Sequence, residues 1–425
     1  MSGVMEALRW LVLAGEVVVA LPVAYLMLVT LAATVASLQR WAGRRRVVGA
    51  LPATFAILIP AHDEASIIER LLASLARLDY PRERHAVYVI ADNCTDTTAD
   101  LARAAGATVY ERSDATKRGK GYALAWAFAR LLGTDLVAAA PDAPATPDPA
   151  PAVPVAAYDA YIVLDADAVV DPDFLRALAR GLATGATALQ ASNAVLNVAD
   201  SPSTALRWLA LTLVNHVRPL GRNRLGGSST LTGNGMCLTH DLLRRHPWRA
   251  FGLAEDYQYY LMLAQDGERV VYVPDARVRS TMPTTFQQMQ SQDIRWESLG
   301  AGQSRWQRRV AWHLLSGGLR HHDWVRLDAL AELLAPPLSF LASASVLLVA
   351  AAALLRAPLQ IALALGTLGG LLLYVASAFY LLRPPAAVYT ALLHAPRFAA
   401  RKLWIYFVLR RSQKHTSAWV RTSRS

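Results

Sequence analysis

The stretch YIVLDADAVVDPDF, residues 161–174, runs an apolar segment straight into four aspartates, Asp165, Asp167, Asp171 and Asp173. A short apolar run ending in polar residues reads as a buried strand. Side chains alternate along a strand, so Asp165 and Asp167 are expected on one face and Ala166 on the other. Two carboxylates side by side repel unless a cation sits between them. All-oxygen donors suit Mg²⁺ or Mn²⁺, and such a cation can neutralise a departing diphosphate. Asp171 stands before Pro172 and reads as a helix N-cap with Pro at the first helical position. Asp171 and Asp173 are therefore assigned to structure. An EF-hand is excluded, because the sixth-position glycine and the closing glutamate are missing.

Outward from this stretch, β-rich runs alternate with helical patterns. FAILIPA (55–61), AVYVIAD (86–92) and ATVYER (107–112) precede helical stretches at 65–78, 97–105 and 117–132. The 161–167 run precedes another at 172–184. Such alternation predicts βαβ units and a mostly parallel sheet, with ligands at the C-terminal strand ends. The Pro/Ala-rich segment 140–154 reads as a flexible insertion.

Polar residues gather where the strands end. IPAHDEA (59–65) supplies Asp63 and Glu64; VIADNCTDTTA (89–99) supplies Asp92 and Asp96. KRGKGYAL (117–124) sets Lys120 between glycines at a helix start, where backbone amides and the ammonium can meet anionic oxygens. It is no Walker loop, lacking the first glycine and the Ser/Thr after Lys. LTGNGMCLT (231–239) has glycines that let backbone approach a ligand. GLAEDYQYYLMLAQDG (252–267) puts Glu255 and Asp256 at a helix N-terminus, where simple capping is the equal alternative. QSQDIRW (290–296) carries Gln292, Arg295 and Trp296, for which an amphipathic interfacial helix is the alternative.

Composition adds a membrane. The 425-residue chain is 54% apolar, and 43 basic against 32 acidic residues give a net charge of +11. Two cysteines without paired spacing exclude a disulfide framework and a zinc ribbon, and fit a reducing compartment. The arginines cluster near apolar segments, which favours membrane lipid over nucleic acid as partner. Residues 8–38, interrupted by Glu16, and the runs 333–355 and 359–382 read as transmembrane helices. RWAGRRR (40–46) and the basic tail 386–425 place both flanks in the cytosol by the positive-inside rule. A multi-pass plasma-membrane protein with a cytosolic catalytic region at 47–283 is expected. Segments 201–224 and 284–325 read as amphipathic helices seating that region on the membrane, with ordinary core helices as the alternative.

Taken together and in this order, Asp92, Asp165-Ala166-Asp167, Glu255-Asp256 and Gln292-x-x-Arg295-Trp296 resemble the membrane-bound inverting glycosyltransferases of family 2. That superfamily includes the cellulose, hyaluronan and poly-N-acetylglucosamine synthases. The resemblance covers roughly residues 53–300 and the flanking spans. It implies an α/β fold of the GT-A, Rossmann-like type and a nucleotide-sugar donor, usually a UDP-sugar, with Mg²⁺ or Mn²⁺. It places Pro60, Ala61, Glu64, Asp92, Lys120 and Asp165 on the donor nucleotide and the metal on Asp167, beside Asp165. It places Gly233, Asn234, Gly235, Gln292, Arg295 and Trp296 around the acceptor and pyrophosphate. It makes Asp256 the general base, with Glu255 beside it as catalytic partner.

The chemistry stands without the resemblance. Displacement at an anomeric carbon needs one base for the acceptor hydroxyl and charge stabilisation on the leaving diphosphate. A glycosidase needs two carboxyls flanking the bond about 5–9 Å apart, and adjacent residues on a helix splay too far round to serve. Two departures stand out: Asn93-Cys94 replaces a common Gly-Ser, and three spans are fewer than polymer-extruding relatives have. The tail 417–424 bears a faint likeness to a gating loop. The acceptor is expected to be a poly- or oligosaccharide, with a lipid or lipid-linked acceptor as the alternative. A purely nucleotide-sugar-sensing membrane protein is the non-enzymatic rival.

Overall fold

The computed structural model describes residues 2–42, 53–133, 158–252, 254–284 and 305–411. Gln292, Arg295 and Trp296, the 140–154 insertion and the 417–424 tail lie outside them. After a long helix, Ser2–Ala42 (α1), strand and helix alternate: Phe55–Ala61 (β1), Ile68–Leu75 (α2), His85–Asp92 (β2), Thr98–Ala104 (α3), Thr108–Arg112 (β3), Lys120–Leu132 (α4) and Ala160–Val163 (β4).

Strand β1 shows why the sheet forms. Phe55, Ile57 and Ile59 lie in one apolar layer, Ala56 and Leu58 in a second. A strand apolar at odd and even positions has no face left for water, so both faces must be covered. Helix α2 caps the first layer through Ile68, Leu71 and Leu72, and α4 the second through Leu124 and Phe128.

The other strands are Ala168–Val170 (β5), Ala188–Val195 (β6), Met236–Thr239 (β7) and Val270–Ser280 (β8), in the order β3-β2-β1-β4-β7-β6-β8-β5. The expected parallel pairing holds across β3-β2-β1-β4. Beyond β4 the sheet is mixed: β7 runs antiparallel to β4 and β6, and β5 antiparallel to β8. The chain leaves β6 into helices Pro202–Thr212 (α6) and Arg218–Arg224 (α7, after one π turn), having passed Phe174–Leu182 (α5) earlier. Helix α7 packs on α1 instead of crossing the sheet, so β7 re-enters it reversed.

Two details differ from the sequence reading. The 161–167 run is strand only to Val163, and Asp165 to Asp167 form a turn in which Ala168 N–H donates to Asp165 O at 3.0 Å. The turn still buries Ala166 and leaves both aspartates half-buried. Asp171 does not cap α5, whose N-cap position is Asp173 without a side-chain bond. The Asp171 carboxylate pairs with Arg279 and lies 3.8 Å from Arg277 Nη1, because antiparallel β8 brings both arginines beside β5.

The remaining helices are His240–Arg245 (α8), Glu255–Gln265 (α9), Arg305–His321 (α10), Trp324–Leu334 (α11), Leu338–Leu354 (α12), Pro358–Leu382 (α13), Ala386–Ala391 (α14) and Ala395–Arg411 (α15). Helices α1 and α13 are long and apolar enough to cross a membrane; α11 and α12, bent by 66°, make a third candidate together. At about 1.5 Å per residue α1 is roughly twice as long as a hydrocarbon core is thick. Its C-terminal part runs on into the α/β region. A Cβ on Gly221 of α7 would stand 2.0 Å from Val29 O of α1, and Arg40 pairs with Asp275 of β8 at 2.6 Å. Residues 201–224 are therefore no lipid-facing amphipathic surface. Leu206, Arg207, Trp208, Arg218 and Arg222 are all buried. The apolar stripe meets α1 and α13, and Arg218 and Arg222 meet carboxylates of α11.

The Gly221 contact yields a test. Gly221→Ala must push α1 from α7, and overpacking of this kind costs about 1–3 kcal/mol. Gly366→Ala on α13, with no atom within 4 Å of the added Cβ, is the control. In detergent the first should melt several degrees lower, and the second should melt no lower than the parent. Equal melting of the two would contradict the tight α1–α7 contact.

Candidate active site

Four segments bring polar groups to one place at the sheet edge. The turn after β4 carries Asp165; α4 starts at Lys120; the loop before β7 carries Gly233 to Gly235; α9 starts with Glu255 and Asp256. Lys120 joins them. Its Nζ donates to Asp165 Oδ1 at 2.5 Å and Gly233 O at 2.7 Å, and lies 3.7 Å from Glu255 Oε1. Asp256 borders Gly233, where a Cβ would stand 2.8 Å from Asp256 Oδ2. Gly233 also has φ of +75°, so this position suits glycine on both counts.

Three carboxylates around one ammonium leave the cluster acidic. Burial pushes the Glu255 carboxyl up to about 7, against the pull of Lys120 and with the push of Asp256. Burial also raises Asp256, again opposed by Lys120. Burial alone would lower Lys120, but Asp165, Glu255 and Asp256 more than offset it and hold the ammonium charged. A carboxyl raised toward neutrality beside a fixed cation has the properties of a general base.

Asn234 differs from its expected place facing an acceptor. It is 1% exposed and braces the turn from beneath. Its Oδ1 accepts from Asp165 N–H at 3.2 Å, its Nδ2 donates to Ser280 Oγ at 2.9 Å, and Gln190 Nε2 donates to its carbonyl at 2.8 Å. Gln190 gave no signal in the sequence, because a buried polar residue inside a strand looks like any other.

A second group lies at the ends of β1 and β2. Buried Asp92 pairs with Arg112 Nη1 at 2.5 Å, and Arg112 Nη2 reaches Asp114 at 3.1 Å and Lys117 O at 2.7 Å. Lys120 is thus among the Asp165 and Glu255 carboxylates, and the cation beside Asp92 is Arg112. The sequence held one clue to Arg112: β3 ends on it, and parallel pairing sets it opposite Asp92. Pro60 and Ala61 end β1 alongside, and His62 Nδ1 lies 2.7 Å from Asp92 O. Glu64 starts the turn into α2, its N–H donating to Thr98 Oγ1 at 2.8 Å. Asn93 has φ of +53°, a region Asn tolerates better than most residues. Its Oδ1 accepts from Asp114 N–H at 2.8 Å. Asn93 thus fills a position that a glycine would otherwise suit.

Two acidic groups compete for a cation. Asp63, Cys94 and Asp96 bring ligand atoms within 4.8 Å of one another. Asp63 Oδ1 already accepts from Thr95 N–H at 2.6 Å, and Asp96 Oδ1 from Thr98 N–H at 3.0 Å. Burial pushes the Cys94 thiol up to about 11, and sulfur is a soft donor that suits Mg²⁺ and Mn²⁺ poorly. We read this group as a lock between two loops. Asp165 and Asp167 offer hard oxygens only, from one half-exposed turn, and this donor set fits Mg²⁺ or Mn²⁺.

The raised Glu255 carboxyl has a stability signature. It binds a proton more readily folded than unfolded, so folding weakens as pH rises from about 4.5 to about 7. Glu255→Gln cannot titrate. Its stability relative to the parent should therefore improve across that window, measured by melting at each pH. Parallel curves would contradict the burial of a titrating Glu255.

Residues 52–298 match the model for "Glycosyltransferase like family 2". The "Probable glycosyltransferase YdaM" of Bacillus subtilis is 24% identical over 253 residues, 56% of this chain and 53% of its own length. The chain thus spans about half the length of that curated relative. Among solved structures, the mannosyltransferase PcManGT from Pyrobaculum calidifontis, in complex with GDP-Man and Mn²⁺, superposes with a TM-score of 0.50. The two are 18% identical, and the match covers 94% of this chain and 99% of that one. S. aureus TarS 1-349, in complex with UDP-GlcNAc, gives a TM-score of 0.41 at 16% identity over 84% and 91% of the two chains. With a GT-A-like sheet and a family match over more than half its residues, the chain belongs to glycosyltransferase family 2.

Proposed function

We propose that the chain transfers a sugar from a nucleotide donor, with inversion, to an acceptor held at the cytosolic face of the plasma membrane. One observation carries this reading: Lys120 draws Asp165, Gly233 and the Glu255-Asp256 pair into one cluster beside the turn that ends in Asp167. Asp256 takes the proton of the acceptor hydroxyl. The acceptor oxygen attacks the anomeric carbon from the side opposite the diphosphate, and the bond to the diphosphate breaks. Glu255, buried next to it, keeps Lys120 charged, and Lys120 orients the cluster. Asp92 and Arg112 line the nucleotide end. A divalent cation on Asp167, with Asp165, would neutralise the leaving diphosphate. A UDP-sugar with hexosyl or N-acetylhexosaminyl character is the favoured donor, with GDP-Man, bound by PcManGT, as the first competitor.

For the acceptor, the helices favour a lipid or lipid-linked molecule. Helices α1, α12 and α13 pack on one another with Val23, Leu26, Leu341, Leu371 and Tyr374 buried between them. Among the described residues, two or three helices are candidates to cross a membrane, fewer than polymer-extruding relatives have. Gln292-x-x-Arg295-Trp296 favours the polysaccharide reading, which remains second.

The test uses the full chain in nanodiscs with UDP-glucose, UDP-GlcNAc and GDP-Man, each with Mg²⁺ or Mn²⁺. Nucleotide release should depend on the cation, stop with EDTA and return on adding Mn²⁺. Asp256→Asn should lower turnover by about 10²–10⁴-fold and retain UDP binding. Turnover unchanged in Asp256→Asn would overturn the reading. A single-sugar product supports the lipid acceptor, and a ladder on a sizing column supports the polymer.

A further inference from the structure

Beneath α9 lies a buried hydrogen-bonded cluster that joins the Asp256 helix to the membrane helices. Its centre is Arg222 of α7, 1% exposed, on Asp328 of α11, 2% exposed. Arg222 Nη2 and Nε meet Asp328 Oδ2 at 2.9 and 3.1 Å. Arg222 Nη2 also donates to Tyr260 Oη of α9 at 2.9 Å. From α1, Tyr25 Oη donates to Asp328 Oδ1 at 3.3 Å. One turn before Arg222, Arg218 Nε donates to Tyr374 Oη of α13 at 2.9 Å, and its Nη1 to Glu332 Oε1 of α11 at 3.1 Å. The backbone closes on this centre too: Ser228 N–H donates to Asp328 Oδ2 at 2.8 Å, and a Cβ on Gly227 would stand 2.5 Å from the Asp328 carboxyl.

A core this polar is unusual. Replacing a buried ion pair by apolar residues of similar volume is often neutral or stabilising, so stability is a weak reason for it. The hydrogen bonds here are directional and come from four elements outside α7. Tyr260 lies four residues after Asp256, on the same side of α9 one turn along. Its neighbour Tyr259, four residues after Glu255, is fixed in the same way, its Oη donating to His246 O at 2.6 Å. Glu255 and Asp256 thus each have a tyrosine one turn below whose hydroxyl is held by a different element.

We infer that the Arg222–Tyr260 hydrogen bond, braced by Tyr25 and Tyr374 from the membrane helices, is a positioning strut that sets Asp256 against Lys120 and Gly233. Tyr260 and Arg222 are positioning residues, acting through α9 without touching substrate. The membrane helices then form part of the active-site scaffold as well as an anchor. The inference rests on the proposed role of Asp256 for its kinetic half only.

The experiment compares the full chain in nanodiscs with Tyr260→Phe, Tyr25→Phe and Tyr374→Phe, each losing one hydroxyl. Hydrogen exchange needs no substrate. All three should speed exchange in residues 255–265 and leave strands β1, β2 and β4 unchanged. The kinetic arm uses whichever of UDP-glucose, UDP-GlcNAc or GDP-Man the parent turns over. Tyr260→Phe should lower kcat roughly tenfold with donor KM within about twofold, as expected when a catalytic group shifts. Combining Tyr260→Phe with Tyr25→Phe should cost less than the product of the single effects. Exchange that rises evenly across the sheet, or Tyr25→Phe and Tyr374→Phe that leave residues 255–265 untouched, would overturn the strut. If the parent itself turns over none of the three donors, the proposed function fails while the exchange arm still decides the mechanical link.

Discussion

The Lys120 ammonium is the group on which the site depends. Asp165, Glu255 and Asp256 come from a turn and a helix start that are far apart in the chain, and each is more stable in water than beside the others. One half-buried cation makes their convergence tolerable. It reaches Asp165 and Gly233 O directly and lies close to Glu255. Burial holds the Glu255 and Asp256 carboxyls above their ordinary values, opposed by Lys120.

How much of this was legible in the sequence follows from which forces are local. Strands β1 to β4 announced themselves through apolar runs, and their parallel order followed from the intervening helices. The carboxylates at their ends were readable for the same reason. Asp171 was misread because Asp-Pro is a strong local capping signal, whereas its actual partner, Arg279, arrives on a strand about a hundred residues later. Residues 201–224 were misread because amphipathicity says that a helix has an apolar face but not what covers it. Here the cover is another helix of the same chain. Gln190 and the bracing role of Asn234 were out of reach, since each depends on contacts across the sheet, and Arg112 showed only as the residue that ends β3.

Among the described residues, the candidate membrane-spanning helices are packed directly onto the α/β region. Helix α1 runs from its apolar half into contact with Gly221, and Arg40 near its end pairs with Asp275 of the sheet. Helix α11 leads into α12 through a bend and carries Asp328 and Glu332 into the arginines of α7. The ionic pairs are thus placed where the apolar layer of the sheet and that of the helices meet. Directional bonds at such a junction fix orientation, which apolar packing alone does loosely.

In the proposed reaction, cation, nucleotide and base meet at the turn after β4. A structure of the full chain with UDP and Mn²⁺, with manganese located by its anomalous scattering, tests it most directly. The account predicts a manganese peak on Asp167 in the cleft shared by Lys120 and Asp256. A peak on Asp63, Cys94 and Asp96 instead, or a nucleotide bound on a surface that Asp256 does not reach, would contradict it.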